Sequence, residues 1–164
     1  MEEMEFLNQV AETYNYKETE IYKWHVDSYM EIYKKYIRDE QSALELGCYN
    51  GTSVKRLSQL VKNLDVMDGS SRVINEAKKK INGQYKNVKF ILSLFEDMDA
   101  LQKYDIIFCS YVLEHVKNPE IILEKCWKAL KQNGIMLITV PNAKALSRQM
   151  ALSMGLIDDL YALT

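Results

Sequence analysis

The 164-residue sequence is poor in residues that break regular structure, with only two prolines and six glycines. Collagen-like and low-complexity chains, which are rich in one or both, are therefore excluded. No segment contains the roughly 18 consecutive apolar residues of a membrane-spanning helix. The acidic start, Met-Glu-Glu-Met-Glu, lacks the basic and apolar regions of a signal peptide. We therefore expect a cytoplasmic protein with no membrane partner.

Cysteine and net charge are also scarce. Cys48, Cys109 and Cys126 are odd in number and widely spaced, and no Cys-x-x-Cys pair or Cys/His cluster occurs. This pattern favours neither a disulfide framework nor a zinc site, so we expect reduced thiols and no bound metal. With 21 basic and 23 acidic residues the formal net charge is −2, and there is no basic stripe. We therefore expect no nucleic-acid partner.

What is present is the composition of an ordered globular domain. Apolar residues make up 48% of the chain and charged residues 27%. A chain of this length buries about 68 to 70% of the surface that it would expose when unfolded, so we expect a substantial hydrophobic core. Within the chain we distinguish an N-terminal helical segment, residues 1–40, from a core domain, residues 41–164.

The N-terminal segment has a helical pattern over residues 1–38. Six apolar or aromatic side chains recur mostly three or four residues apart, as on one side of a helix: Ile21, Trp24, Tyr29, Ile32, Tyr33 and Tyr36. One interpretation is an amphipathic helix that packs this side onto the core. The other is a lid over a ligand, since aromatic side chains with a polar tip suit a half-wet pocket wall. The candidates for such a lid are Tyr14, Tyr16, Trp24 and His25.

From residue 43 onward, short apolar runs alternate with helical patterns. The predicted strands cover residues 43–46, 64–67, 88–92, 105–109 and 135–140. The predicted helices cover residues 52–61, 72–81, 118–131 and 143–154. This alternation is typical of right-handed βαβ units. We therefore predict an α/β fold, a doubly wound and mostly parallel Rossmann-like sheet of about five strands with helices on both faces, preceded by N-terminal helices.

Residues 44–57 form the most distinctive stretch. They predict a strand, a tight turn opened by Gly47 and closed by Gly51, and a helix that begins near Thr52. Such a turn aims free backbone N–H groups at one point and lets a ligand approach the backbone, so it suits the polar part of a nucleotide-like molecule. A nicotinamide site would require glycine at positions 49 and 52. Those residues are Tyr49 and Thr52, so a dinucleotide is not favoured.

Polar residues follow the predicted strands at their carboxyl ends, where a doubly wound sheet binds its ligand. Asp68 lies 21 residues after Gly47, at a position from which a carboxylate accepts both hydroxyls of a ribose. The alternative role for Asp68 is to cap the following helix, although Ser70 and Ser71 already suit that role.

Taken together, these motifs resemble those of class I S-adenosylmethionine-dependent methyltransferases. The first motif of that family is an acidic residue, any residue and three glycines at alternate positions. Here it is Glu45-Leu46-Gly47-Cys48-Tyr49-Asn50-Gly51, with tyrosine in place of the middle glycine. Further matching motifs follow in the family's order at residues 64–70, 95–97, 104–108, 112–116 and 140–142. The resemblance covers about residues 43–142 and is greatest to members that act on small molecules in quinone biosynthesis.

The resemblance implies a role for each matching residue. S-adenosylmethionine, and its product S-adenosylhomocysteine, would be bound by Glu45, Gly47, Cys48, Tyr49, Gly51, Asp68, Gly69, Phe95, Glu96 and Ser110. Asp68 would bind the ribose, and the backbone around Phe95 and Glu96 would meet the adenine. His115 and Tyr111 would be the catalytic residues, which handle a proton when the acceptor carries one. The alternative for His115 is a structural turn that satisfies its imidazole.

The implied function is methyl transfer from S-adenosylmethionine to an O, N or C atom of a small-molecule acceptor, by in-line displacement. The alternatives are a non-catalytic methyltransferase-like module, a fragment that binds the cofactor without turnover and, third, an oxidoreductase. The family continues after strand five with two antiparallel strands, for which residues 143–164 leave no room. We therefore expect a truncated form of a longer protein, or a minimal domain whose homodimer covers the open edge of strand five.

Overall fold

A parallel five-stranded sheet forms the centre of the computed structural model, which describes residues 2–17 and 19–161. In chain order its strands are β1 (Ser42–Leu46), β2 (Asn63–Asp68), β3 (Val88–Leu92), β4 (Tyr104–Ser110) and β5 (Leu130–Thr139). Their spatial order is β3-β2-β1-β4-β5, and all four pairings are parallel. The predicted Rossmann-like α/β fold is confirmed, and its strand order reverses between β1 and β4.

Six α-helices occur within the described residues. They are α1 (Glu2–Glu12), α2 (Glu20–Tyr33), α3 (Thr52–Leu57), α4 (Ser71–Ile81), α5 (Pro119–Ala129) and α6 (Leu146–Ser153). Phe95–Asp97 and Leu113–His115 form short 3-10 turns. None of the helices found in the described part of the chain has the length and apolar character needed to cross a bilayer.

The N-terminal segment forms two helices, α1 and α2, which confirms the predicted N-terminal helices. The Thr13 hydroxyl donates to the Val10 carbonyl oxygen at 2.8 Å just after α1 ends. The Thr19 hydroxyl accepts a hydrogen bond from the Tyr22 amide at 3.1 Å and thereby caps the start of α2. The hydrogen bonds of these two threonines therefore mark the end of α1 and the start of α2.

The boundary between α5 and β5 also differs from the prediction. The helix ends at Ala129, and β5 begins at Leu130, five residues before the predicted start. Asn133 has a φ of 65° and lies within the strand, where the pairing with β4 shifts register between Tyr104 and Ile106. The Asn-Gly pair that predicted the end of a helix therefore forms an irregularity within a strand.

The hydrophobic core lies on both faces of the sheet. Along β4, Ile106 and Phe108 point into the cluster beneath α2, α3 and α4, whereas Ile107 and Cys109 point into the cluster beneath α5. All four side chains are fully buried, as expected of an unbroken apolar strand with helices on both sides. Side chains of α1 and α2 belong to the first cluster, and the division at residue 40 stays a prediction.

Candidate functional site

A cavity of about 520 Å³ opens at the carboxyl ends of the strands, at the position where their order reverses. Both its location and its size are typical of a small-molecule site in such a sheet. Of the twelve residues predicted for the site, eleven line this cavity: Glu45, Gly47, Cys48, Tyr49, Asp68, Gly69, Phe95, Glu96, Ser110, Tyr111 and His115. The fold therefore brings together motifs that lie up to 70 residues apart in the sequence.

Gly51 does not line the cavity. It has a φ of +77°, and a Cβ atom at this position would lie 2.8 Å from the Cα atom of Ala77 in α4. Only glycine permits this conformation and this approach together. Gly47, in contrast, faces the cavity, and a Cβ atom there would lie 2.9 Å from Val112. In this structure Gly51 packs the start of α3 against α4.

Glu45 is an acidic side chain on the cavity wall that lacks a full set of partners. It is only 3% exposed, and its Oε2 atom is buried without a hydrogen-bond partner. Burial raises the pKa of Glu45 to about 8; a hydrogen bond from Ser53 opposes this rise and the charge of Asp68 adds to it. A ligand that carries a cationic group would give this buried oxygen a partner and would favour the ionised form of Glu45.

Asp68 ends β2 beside this loop. One carboxylate oxygen accepts a hydrogen bond from the Ser70 amide at 2.8 Å, and the other accepts one from the Cys48 amide at 3.2 Å. The Cys48 thiol also donates a weak hydrogen bond, at 3.7 Å, to the second oxygen. Each oxygen has two lone pairs, so the oxygen bound to the Ser70 amide keeps acceptor capacity for a ligand hydroxyl. Ser70, rather than Asp68, caps α4: the Ser70 hydroxyl accepts a hydrogen bond from the Val73 amide at 3.3 Å.

Helix α2 contributes a wall that sequence reasoning only partly identified. His25 was a lid candidate and does line the cavity, whereas Tyr22 and Tyr29 line it without having been predicted. Ser53 of α3 was also missed; it lines the cavity, and its hydroxyl opposes the rise in the pKa of both Tyr29 and Glu45. The signal that could have found Tyr29 is its spacing of four residues from His25, because this places both on one side of a helix. The lid candidate Trp24 is 72% exposed and lies away from the cavity.

Helix α1 packs over the loop that follows β2. A Cβ atom on Gly69 would lie 2.5 Å from Leu7, so this helix approaches the backbone of the loop directly. The Asn8 side-chain oxygen accepts hydrogen bonds from the Ser70 hydroxyl at 2.7 Å and the Arg72 amide at 3.2 Å. The N-terminal segment therefore packs on the core and also forms part of the cavity wall.

The opposite wall follows β4. The Tyr33 hydroxyl lies 2.8 Å from the Ser110 hydroxyl and also hydrogen-bonds Thr139. The ring centroids of Tyr111 and His25 lie 4.6 Å apart. His115 has an exposed side chain, in the turn after Tyr111, that also lines the cavity. Both histidines of the sequence therefore face one cavity.

A profile of the methyltransferase domain matches residues 37–159, which is most of the chain. The chain belongs to this family. The resemblance to class I S-adenosylmethionine-dependent methyltransferases that the sequence motifs predict is thereby confirmed. No part of this match depends on α1, which lies before it.

Curated relatives of this methyltransferase domain include enzymes of quinone biosynthesis. The ubiquinone biosynthesis O-methyltransferase of Bradyrhizobium diazoefficiens is 28% identical over 99 residues, which cover 60% of this chain and 39% of that enzyme. The mitochondrial ubiquinone biosynthesis O-methyltransferase of Saccharomyces cerevisiae is 32% identical over 124 residues, 72% of this chain and 39% of that enzyme. The chain thus spans about two fifths of the length of these relatives.

Among solved structures, the chain is similar in fold to the N-methyltransferase NodS of Bradyrhizobium japonicum in complex with S-adenosyl-L-homocysteine. The TM-score is 0.70 at 16% sequence identity, and the match covers 80% of this chain and 71% of that one. A likeness at this level of identity supports the fold, with its parallel sheet and flanking helices.

The burial of Glu45 predicts a pH-dependent stability. Because its folded-state pKa of about 8 lies above the usual value of 4.5, the stabilisation from Glu45 is full below about pH 4.5 and is lost as the pH rises through 8. Glu45→Gln stays neutral throughout. We measure the unfolding free energy of this variant minus that of the wild type by urea denaturation. We expect this difference to be about 2 to 4 kcal/mol larger at pH 8 than at pH 5.

The control is Glu120→Gln, which changes an exposed glutamate at the start of α5. Its difference from the wild type should stay within about 0.5 kcal/mol at every pH, as is usual for surface changes. A constant difference between Glu45→Gln and the wild type across this range would show that Glu45 is already ionised in the folded protein.

Proposed function

We propose that the chain binds S-adenosylmethionine in this cavity and transfers its methyl group to an O, N or C atom of a small-molecule acceptor. The observation that carries the proposal is the presence of two carboxylates with free acceptor capacity in one cavity, Glu45 and Asp68. Membership of the methyltransferase family supports it. The names of the relatives, which include O- and N-methyltransferases, support a small-molecule acceptor.

The residues of the cavity fit the chemical groups of this cofactor. The unpartnered oxygen of Glu45 suits the ammonium group of the methionine part, and the loop of Gly47, Cys48 and Tyr49 lies beside it. Asp68 suits the ribose hydroxyls. The aromatic Phe95, the polar Glu96 and the backbone of Gly69 also line the cavity and suit the adenine.

The bound cofactor supplies an electrophilic methyl group on a sulfonium, so the chain itself mainly has to align the acceptor. Alignment of this kind contributes roughly 7 to 11 kcal/mol to a bimolecular step. Ser110 ends β4 at the cavity and Tyr111 follows it, and the Tyr33 hydroxyl forms a hydrogen bond with the Ser110 side chain. When the acceptor carries a proton, we propose that His115 takes up that proton. Tyr111 is the second candidate, because both side chains line the same wall.

A cytoplasmic location is part of the proposal. Cys48, Cys109 and Cys126 are free and buried. Burial raises the pKa of the Cys109 and Cys126 thiols to about 12, so both stay protonated. Reduced thiols are usual in the cytosol, and fractionation of producing cells tests this location.

Titration calorimetry with S-adenosylhomocysteine tests the cofactor site. Asp68→Ala removes the acceptor for the ribose hydroxyls, and hydrogen bonds to a charged group contribute about 1.5 to 3 kcal/mol. We therefore expect the dissociation constant to rise by about 10- to 100-fold. Asp97→Ala changes an exposed carboxylate nearby that does not line the cavity, and it should leave the constant within about twofold.

Absence of heat with the wild type at millimolar cofactor would refute the proposed function. Where binding occurs, a panel of phenols, amines and activated carbon acids with labelled S-adenosylmethionine tests methyl transfer. Binding without labelled product from any acceptor would favour the non-catalytic module instead.

The assignment of the proton acceptor is tested by two histidine variants. For an acceptor that loses a proton, we expect His115→Gln to lower kcat by about 100-fold or more at neutral pH, because proton transfer to a positioned side chain contributes at least this much. His25→Gln changes the other histidine of the cavity and should lower kcat by no more than about threefold. Steady-state kinetics from pH 6 to 10 give both values. A larger loss for His25→Gln would place the proton acceptor on α2.

We also propose that a homodimer covers the edge of β5. This strand is the outermost one beside β4; Ile138 near its carboxyl end is 45% exposed, and Val140 just after it is 52% exposed. A lysine at an edge strand opposes pairing with another strand. We expect sedimentation equilibrium to give twice the monomer mass for the wild type and the monomer mass for Ile138→Lys. Leu101→Lys, at an exposed apolar position of a loop, should stay dimeric. A monomeric wild type contradicts this contact.

A further inference from the structure

Tyr49 occupies a backbone conformation that favours glycine. Its φ is 39°, in the left-handed region that a bulky side chain rarely adopts. It stands where the family motif has its middle glycine, between Gly47 and Gly51. A side chain that persists at such a position needs compensating contacts in the surrounding structure.

Those contacts come from the chain between α1 and α2 and from the start of α2. The Tyr49 hydroxyl donates a hydrogen bond to the Asn15 carbonyl oxygen at 2.6 Å. Its ring centroid lies 5.7 Å from that of Tyr14, 5.5 Å from Tyr16 and 5.3 Å from Tyr22. Distances of 4.5 to 7 Å are those of favourable aromatic pairs. One residue of the glycine loop therefore holds a whole cluster of N-terminal tyrosines.

We call residues 13–17 the strap. Tyr14 of the strap lines the cavity, as do Tyr22 at the start of α2 and Tyr49 itself. Burial, followed by the charge of Asp68, raises the pKa of Tyr14, and the charge of Asp68 also contributes to the raised pKa of Tyr16. Tyr14 and Asp68 line the same cavity, so the strap shares that cavity with the carboxylate proposed to bind the ribose. Among the described residues, the other hydrogen bonds of the strap join residues close in sequence, such as the bond from the Tyr16 hydroxyl to the Ala11 carbonyl oxygen at 3.0 Å.

We propose that Tyr49 is a positioning residue that fastens the strap across the cofactor cavity, so that release of the bound cofactor requires the Tyr49–Asn15 hydrogen bond to break. This inference rests on the proposed function, since the ligand is the cofactor. A glycine at position 49 would relax the backbone but would provide neither the hydroxyl nor the ring. With tyrosine at this position the loop keeps a strained backbone, and the side chain connects the loop to the N-terminal segment.

The dissociation rate of S-adenosylhomocysteine tests this role, measured by stopped-flow displacement. Tyr49→Phe keeps the ring and removes only the hydroxyl, and we expect the dissociation rate constant to rise about three- to tenfold. Tyr49→Gly also removes the ring, and we expect a rise of about 30-fold or more. The association rate should change less, because changes at one binding site act mostly on dissociation.

Gln102→Gly is the matched control for the glycine variant. Gln102 has a φ of 45°, so glycine relaxes the same kind of backbone conformation, but this residue is exposed and lies away from the cavity. Its dissociation rate should stay within twofold of the wild type. Where Tyr49→Gly fails to fold, Tyr49→Phe decides the question alone.

Hydrogen exchange of the strap amides gives a second readout that needs no ligand. In Tyr49→Phe we expect faster exchange over residues 13–17 than in the wild type, with unchanged exchange in β1 and β4. If S-adenosylhomocysteine does not bind the wild type, the proposed function is refuted. Comparison of strap hydrogen exchange between the wild type and Tyr49→Phe then still tests whether Tyr49 holds the strap. Binding with unchanged dissociation in both Tyr49 variants, or unchanged strap exchange, overturns the fastening role and leaves the proposed function standing.

Discussion

The hydrogen bonds between the loop after β1 and the end of β2 are the contacts on which the site depends. The Gly47 amide donates to the Met67 carbonyl oxygen at 2.9 Å, and the next amide, that of Cys48, donates to the Asp68 carboxylate. The first bond continues the parallel ladder by one residue, and the second turns the loop over the sheet edge. Glu45 and Asp68, which belong to different strands, are thereby directed into one cavity.

This arrangement has an electrostatic cost that a ligand can offset. Glu45 is buried and Asp68 is partly buried, and burial raises the pKa of each. Neither carboxylate has an ion-pair partner within the described residues. A ligand that brings a cationic group and hydroxyl donors would satisfy both side chains and stabilise the folded state by mass action. Perturbed acidic groups of this kind are concentrated at functional sites rather than in structural cores.

The sequence predicts the strands and the glycine loop well because their signals are local. Apolar runs bounded by residues such as Ser70 and Asn82 determine β2 and α4 with little help from the rest of the chain. Asn133-Gly134 misled the prediction, since the same pair suits the end of a helix and an irregular strand. Tyr29 and Ser53 were missed for a different reason: a helical stripe identifies a buried face but does not say which strand ends that face meets.

Helix α2 both packs on the core and lines the cavity, so the two interpretations of the N-terminal pattern, packing helix and ligand lid, do not exclude each other. Tyr33, Tyr29 and His25 lie four residues apart along one side of the helix. Tyr33 is 4% exposed and stacks on Phe108 of the core, Tyr29 is 8% exposed and reaches Ser53, and His25 is partly exposed at the cavity. Burial thus decreases stepwise from the core to the site along a single face. Because one helix supplies both the core contact of Tyr33 and the cavity contact of His25, we expect a change that loosens the packing of Tyr33 to move the cavity wall as well.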